Sequence, residues 1–115
     1  MSDESALHVV VAAATCRRPK MLSRLLESFA ALRLPEDVNV TFLVIDNAPD
    51  APVEAVVKSW RQETGLDARY VLEPEPGIPF ARNRGMDEAR AIGADFLAYV
   101  DDDEVVDPDW LTALV

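Results

Sequence analysis

The chain has 115 residues, a length that suits one domain with a hydrophobic core of ordinary size. Half of the residues are apolar, but no stretch approaches the roughly 20 uninterrupted apolar residues of a membrane-spanning helix, so we expect no transmembrane segment. The formal net charge of −10 argues against nonspecific binding to nucleic acid or to anionic lipid. An anionic ligand would therefore need a local reversal of charge, which a carboxylate-bound cation provides.

The N-terminus and the cysteine content predict the compartment. The first residues, MSDESALHVVV, are acidic before the apolar run, which is the wrong sign for a secretory signal. The single Cys16 cannot form an internal disulfide, in agreement with a reducing compartment, and we expect it to be a small buried residue rather than a nucleophile. These features predict a cytoplasmic protein with a tail over residues 1–7 and a domain over residues 8–115.

The spacing of apolar residues predicts strands that alternate with helices. A continuous apolar run over residues 8–14 suits a strand buried on both faces of a parallel sheet. Leucines at helical spacing after Pro19 indicate an amphipathic helix up to the break at Pro35. Further strands are predicted in VTFLVIDN, ARYVLE and DFLAYV, and further helices before Gly65, from Pro79 to about Gly93, and from Pro108 onward. This order predicts a three-layer α/β fold with a mostly parallel sheet flanked by helices.

Polar residues follow three of the predicted strands. Thr15 follows the first strand, Asp46 and Asn47 end the second, and an acidic run begins at Asp101 after the fourth. Ligands of parallel sheets collect at the carboxyl ends of the strands. We therefore expect these residues to meet at one edge of the sheet.

The acidic run VDDDEVVDPDW contains an Asp-x-Asp pair, Asp101 and Asp103. Three adjacent carboxylates repel one another, and Mg²⁺ or Mn²⁺ relieves that repulsion while using one or two protein carboxylates together with substrate phosphates. An EF-hand is excluded because Val106 stands where that loop requires glycine. The simpler interpretation, solvated surface charge, suits Asp107 and Asp109, with Asp107 capping the last helix.

The sequence contains four ordered blocks: VVVAAATCRRPKMLSRLLESF, FLVIDNAPD, GIPFARNRGMDEA and DFLAYVDDDEVVDPDWL. Their order and spacing resemble the nucleotide-sugar-binding half of family 2 glycosyltransferases, over nearly the whole chain from Val9 onward. The resemblance implies the GT-A fold, a nucleoside-diphosphate sugar as donor, and Mn²⁺ or Mg²⁺ as cofactor.

The resemblance also implies how the nucleobase is held. Ala14, Thr15 and Arg17 lie where the family cups the base. At these positions Cys16 replaces an aromatic residue of the family and Arg17 replaces an amide. The Arg17 guanidinium could stack on the base in place of the aromatic ring. Asp46 matches the carboxylate that accepts a hydrogen bond from the base, although an aspartate in this context also forms turns.

The same resemblance implies which residues bind the donor diphosphate and the metal. Arg82 would neutralise donor phosphate or brace the acidic cluster. Asp103, with Asp101, would ligate the metal, and Asp101 and Asp102 would bond the ribose or the sugar of the donor. Gly85 is expected to pack a helix on the sheet.

The general base of inverting family members lies well downstream of the Asp-x-Asp pair, and the chain stops before such a position. We therefore expect no catalytic residue in this chain, which would hold the donor half without the acceptor half and transfer sugar poorly alone. The acceptor, whether a glycan, a lipid or a small molecule, is open, and an isolated half is expected to self-associate through exposed apolar surface. The alternative is a noncatalytic nucleotide-sugar-binding or protein-interaction module. A dinucleotide-binding dehydrogenase is excluded because AAATCRRP lacks glycine.

Overall fold

The computed structural model describes residues 7–50 and 52–114. Residues 1–6 of the predicted tail lie outside the described residues, while Leu7, assigned to that tail, begins the first strand. The strands are β1 (Leu7–Thr15), β2 (Val38–Asp46), β3 (Ala68–Leu72) and β4 (Phe96–Tyr99). The helices are α1 (Pro19–Ala30), α2 (Glu54–Thr64), α3 (Ile78–Ile92) and α4 (Trp110–Leu114).

The four strands form one parallel sheet in the order β3-β2-β1-β4. Register pairs Thr15 with Asp46 and Asp46 with Leu72, so β1, β2 and β3 end at the same level. Tyr99 pairs with Ala12, and the chain leaves β4 toward that same edge. This architecture confirms the predicted three-layer, parallel α/β fold.

Side chains from β1 pack into two hydrophobic cores, one on each face of the sheet. Val9 and Val11 pack with the α1 and α2 layer, whereas Val10 and Ala12 pack with α3, and all four are buried. Successive side chains of a strand point to opposite faces, so a strand covered on both faces must be apolar throughout. The apolar run of β1 is continuous because β1 lies in the interior of the sheet and is covered on both faces.

Helix ends differ from the prediction by a few residues. The first helix ends at Ala30, well before Pro35, and Leu32 is buried in the loop that follows. The last helix begins at Trp110 instead of Pro108. The Asp107 carboxylate accepts a hydrogen bond from the Asp109 N–H at 2.9 Å and so forms a turn that precedes the helix. Because the helix begins only at Trp110, Asp107 is not its N-cap, and the capping role predicted for Asp107 is wrong.

No helix within residues 7–50 and 52–114 combines the length and the apolar composition that crossing a membrane requires.

Candidate functional site

A cleft of about 510 Å³ opens at the carboxyl ends of β1 and β4. It lies where the strand order places the N-terminal strand beside the last one, the position at which open α/β sheets bind ligands. Its walls come from the turn after β1, the start of α3 and the turn after β4. The lining residues that the sequence predicted are Ala14, Thr15, Arg82, Asp101, Asp102 and Asp103.

Asp102 is the buried member of the acidic cluster. Thr15 Oγ1 donates to Asp102 Oδ2 at 2.9 Å, and Arg18 Nη1 donates to Asp102 Oδ1 at 3.3 Å. Only 10% of the Asp102 side chain is exposed, whereas 52% of Arg18 is exposed. This carboxylate therefore ties the turn after β1 to the turn after β4.

Asp101 and Asp103 flank that buried carboxylate and are themselves exposed. The backbone holds their turn, because the Glu104 N–H donates to the Asp101 carbonyl and the Asp101 N–H donates to Glu104 Oε1, both at 3.1 Å. Neither carboxylate forms an ion pair within the described part of the chain, where no group of three or more metal-ligating side chains converges either. Two exposed carboxylates at the cleft suit a cation that takes its remaining ligands from water and from substrate phosphate.

Asn47 fastens the proline-rich loop that precedes α3. Its Nδ2 donates to the carbonyls of Glu73 and Glu75, both at 2.8 Å, and its Oδ1 accepts from the Gly77 N–H at 3.1 Å. The Asn47 N–H donates to the Thr15 carbonyl at 2.9 Å. The side chain and the backbone of one residue together fix the position of the α3 N-terminus against the end of β1.

Asp46 lies outside the cleft lining and is fully buried. Its carboxylate accepts hydrogen bonds from the Ala48 and Val53 N–H groups, at 3.1 and 2.9 Å, and from the Tyr70 hydroxyl at 2.6 Å. Removal from water and the hydrogen bond to Asp46 raise the pKa of the Tyr70 phenol. The structure thus gives Asp46 the turn-forming role, and its contact with a nucleobase stays a prediction.

Arg17 points away from the cleft. Its backbone has a φ of 56°, and its guanidinium pairs with Asp50 at 2.7 Å on the protein surface. That hydrogen bond lowers the pKa of Asp50 and raises the pKa of Arg17. Cys16 is exposed at the cleft wall, so the expectation of a buried thiol is wrong. The Arg17 guanidinium also donates to Cys16 Sγ at 3.3 Å, so the two side chains stay in contact while Arg17 extends to Asp50 on the surface.

The fold agrees with comparisons to known proteins. The sequence model of the family described as Glycosyl transferase family 2 matches residues 9–115. The chain belongs to this family. It is 39% identical over 109 residues to the succinoglycan biosynthesis protein ExoM of Rhizobium meliloti (strain 1021), covering 95% of the chain and 34% of that relative.

A second relative and two crystal structures extend the family 2 match. The succinoglycan biosynthesis protein ExoW of the same organism is 36% identical over 95 residues, covering 83% of the chain and 28% of ExoW. S. aureus TarS has a TM-score of 0.76 at 22% identity, over 94% of the chain and 19% of TarS. TarS 1-349 in complex with UDP-GlcNAc has a TM-score of 0.78 at 20% identity, over 94% and 30%. The chain spans about a third of the length of the curated relatives it matches, and the structural likeness confirms the predicted GT-A fold.

Helix α3 carries the remaining wall of the cleft in this family 2 chain. Arg82 lines the cleft and is exposed, and its carbonyl accepts a hydrogen bond from the Tyr99 hydroxyl at 2.5 Å. Burial raises the pKa of that hydroxyl. Gly85 lets α3 approach the sheet, since a Cβ at this position would collide with the Tyr99 hydroxyl oxygen. The predicted packing role of Gly85 is confirmed.

Several cleft residues were missed by sequence reasoning. Arg18 precedes Pro19 directly and follows a second arginine, and the pattern gave no reason to prefer one of the two. Tyr99 looked like an ordinary member of an apolar strand. Asn47 was assigned to turn formation, and a signal for its larger role was present, because it follows a strand end directly and precedes a loop that needs partners for its backbone.

Proposed function

We propose that this chain is the donor-binding part of a glycosyltransferase, which holds a nucleoside-diphosphate sugar in the cleft for transfer of the sugar to an acceptor hydroxyl. The single observation that carries the proposal is the convergence of Thr15, Arg82 and the acidic turn at one cleft beyond β1 and β4. Family membership supports the reaction class. The complexes of TarS with UDP and with UDP-GlcNAc support a nucleotide-sugar ligand for this chain as well.

A divalent cation, Mn²⁺ or Mg²⁺, belongs to this proposal. Asp103, with Asp101, would hold it, because both carboxylates are exposed at the cleft and have no cationic partner among the described residues. When bound, such an ion neutralises a diphosphate leaving group as a Lewis acid. Arg82 would add positive charge from the opposite wall, and Thr15 and Ala14 would form the floor on which the nucleotide rests.

The activity of the complete enzyme is part of the proposal, since the chain covers only about a third of its curated relatives. We place the general base and the acceptor site outside this 115-residue chain, which leaves the acceptor's chemistry open. The cytoplasmic location stays a prediction that rests on the acidic N-terminal residues and the lone cysteine.

Isothermal titration calorimetry with UDP, GDP and dTDP, with and without Mn²⁺, tests the donor site. We expect one nucleotide to bind more tightly with Mn²⁺, and Asp103→Ala to remove the metal-dependent gain of about tenfold or more. Asp87→Ala is the matched control, because Asp87 is an exposed carboxylate on α3 that does not line the cleft. Folded wild-type protein that binds no nucleotide in the presence of Mn²⁺ would contradict the proposal.

A noncatalytic binding module is the second candidate, because the chain matches only a third of each curated relative. Hydrolysis of the bound sugar nucleotide, in which water takes up the sugar and nucleoside diphosphate is released, separates the two candidates. Slow release that Asp103→Ala abolishes and Asp87→Ala retains supports the transferase. Tight binding with no release, in this chain and in a version extended to the length of its relatives, supports the module.

A further inference from the structure

Each oxygen of the middle carboxylate of the acidic cluster accepts one hydrogen bond from the protein, and Asp102 also borders the cleft. Asp102 Oδ2 accepts from Thr15 Oγ1 at 2.9 Å and Asp102 Oδ1 accepts from Arg18 Nη1 at 3.3 Å, in a side chain that is only 10% exposed. A carboxylate that leaves water must keep its partners, because an unpaired buried charge is unfavourable by several kcal/mol. Asp102 is therefore poorly placed to exchange these partners for a sugar hydroxyl.

Arg18 is the more exposed end of the same ion pair and lines the cleft. Half of its side chain is exposed, it lines the cleft wall, and its other guanidinium N–H groups have no partner among the described residues. A guanidinium carries donors in a planar fork that matches phosphate oxygens. A carboxylate bound to one side of the fork fixes the direction in which the remaining donors point.

The position of this pair suits a diphosphate. Arg18 follows β1, Asp102 follows β4, and Arg82 stands on α3, so two guanidinium groups flank the exposed carboxylates Asp101 and Asp103. Three carboxylates and two guanidinium groups line the cleft, so their summed charge is negative. An anionic ligand therefore needs both the cation and every available arginine to bind there.

We infer that Asp102 is a positioning residue that does not itself contact the donor, and that the Arg18 guanidinium it holds binds the donor diphosphate. The inference rests on the proposed function and changes one part of it, since Asp102 was predicted to bond the donor. It adds Arg18 to the site, and it gives Thr15 the second task of holding Asp102 in place.

Calorimetric titration of the 115-residue chain with UDP and with inorganic pyrophosphate, each with and without Mn²⁺, tests this inference. Pyrophosphate carries the charge of the diphosphate without a base, so it reports on the anion site whichever nucleotide the cleft prefers. The proteins compared are wild type, Arg18→Gln, Asp102→Asn, the double variant, and Arg90→Gln. Arg90 is the control because it pairs with Asp87 on α3 and is 80% exposed, away from the cleft.

We expect Arg18→Gln to weaken both ligands about tenfold or more, because a charge-assisted hydrogen bond is lost. Asp102→Asn should weaken them about fivefold, since the amide no longer pairs with the guanidinium. The double variant should be no weaker than Arg18→Gln, because the two residues act as one unit. The ratio of affinities with and without Mn²⁺ should stay at the wild-type value in each variant, which a metal ligand would not allow. Arg90→Gln should bind both ligands as the wild type does.

Two results would overturn the inference while leaving the donor site intact. One is wild-type affinity in Arg18→Gln, which removes the proposed diphosphate contact. The other is a loss in the double variant equal to the product of the single losses, which shows that Asp102 contacts the ligand directly. Absence of binding of either ligand to folded wild-type protein overturns the proposed function together with the inference. Far-UV circular dichroism and the thermal midpoint establish that each variant is folded before its affinity is compared.

Discussion

Asp46 and Asp102 are both buried carboxylates at strand ends, and they stabilise different parts of the molecule. Among the described residues, the Asp46 carboxylate accepts only from groups in its own half of the sheet, the β2–α2 turn and Tyr70 of β3. Asp102 instead joins β4 to the turn after β1 through Thr15. The first carboxylate secures the fold around α2, and the second secures the cleft.

Asp46→Asn should destabilise the protein without changing its nucleotide affinity. An amide nitrogen replaces one acceptor oxygen, so a buried N–H or the Tyr70 hydroxyl loses its partner, at a cost of about 2 kcal/mol in the free energy of unfolding. Urea unfolding followed by circular dichroism measures this change. Asp50→Asn is the control, because Asp50 is exposed and its substitution should not change the urea midpoint. A stable Asp46→Asn variant with weakened nucleotide binding would instead favour the base contact predicted from the family resemblance.

Tyr70 should make stability fall at alkaline pH. Its pKa is raised in the folded protein by burial and by the Asp46 hydrogen bond, so the folded state keeps a proton that the unfolded chain loses. The stabilisation is complete below the unfolded pKa of about 10 and declines as the pH rises above it. The free energy of unfolding, measured from about pH 8 to about pH 11, should decline less steeply in Tyr70→Phe than in wild type. Parallel curves for the two proteins would show that Tyr70 ionises alike in both states.

At the scale of elements, the distance between α3 and the sheet depends on Gly85. Gly85 is buried, and a Cβ there would collide with the Tyr99 hydroxyl oxygen and come within 3.2 Å of Ile45 Cδ1. The same tyrosine hydroxyl donates to the Arg82 carbonyl. The helix that carries Arg82 is thus positioned by a glycine and a tyrosine on facing elements.

Gly85→Ala should therefore destabilise the protein by about 1–2 kcal/mol, because overpacking outweighs the better helix propensity of alanine. Adding Tyr99→Phe removes the nearest colliding atom, so the double variant should regain part of the loss. Thermal and urea unfolding of the two single variants and the double variant measure the coupling. If the losses in unfolding free energy of the two single variants simply add in the double variant, the destabilisation by Gly85→Ala does not come from a collision with the Tyr99 hydroxyl.

The order of strands and helices could be predicted because each step depends on nearby residues. The apolar run of β1, the spacing of leucines in α1 and the glycine after α2 all report local requirements, and Gly65 has the φ of 71° that favours glycine there. That Thr15 and the acidic run border one cleft could be predicted as well, since parallel strands bring their carboxyl ends to one edge.

The roles of neighbouring residues could not be predicted from the sequence. Arg17 and Arg18 are identical side chains, and a backbone φ of 56° at Arg17 turns the first to Asp50 and leaves the second beside Asp102. Asp101, Asp102 and Asp103 are likewise identical, and only the turn after β4 decides which one is buried. Such choices depend on contacts between residues 84 positions apart in the chain.

At the scale of the whole molecule, β4 is the edge of the sheet and has apolar surroundings. Within the described residues it pairs with β1 alone. Leu7, Phe96 and Leu114 are 40%, 55% and 57% exposed and line a groove of about 300 Å³ along this edge. An unpaired strand with exposed apolar neighbours favours association with another chain.

The chain should therefore self-associate with increasing concentration, and Phe96→Lys should oppose this. A lysine on the edge strand adds charge where another chain would have to pack. Sedimentation velocity over a range of protein concentrations measures the effect. Met21→Lys is the control, since Met21 is also apolar and 40% exposed but lies on α1. A wild-type chain that sediments as a monomer at every concentration would rule out this surface as a site of association.

The loop at the rim of the cleft is held by the Asn47 amide. Its amide nitrogen donates to the Glu73 and Glu75 carbonyls, while its oxygen accepts from Gly77 and its N–H reaches the Thr15 carbonyl. Hydrolysis of the amide, the slow damage to which asparagine is prone, replaces that nitrogen with an oxygen. The two hydrogen bonds to the Glu73 and Glu75 carbonyls then become repulsive contacts between oxygen atoms, and the loop before α3 is no longer held in place. Replacement of this one nitrogen atom by oxygen would thus loosen the loop at the rim of the cleft, while the sheet beneath it stays folded.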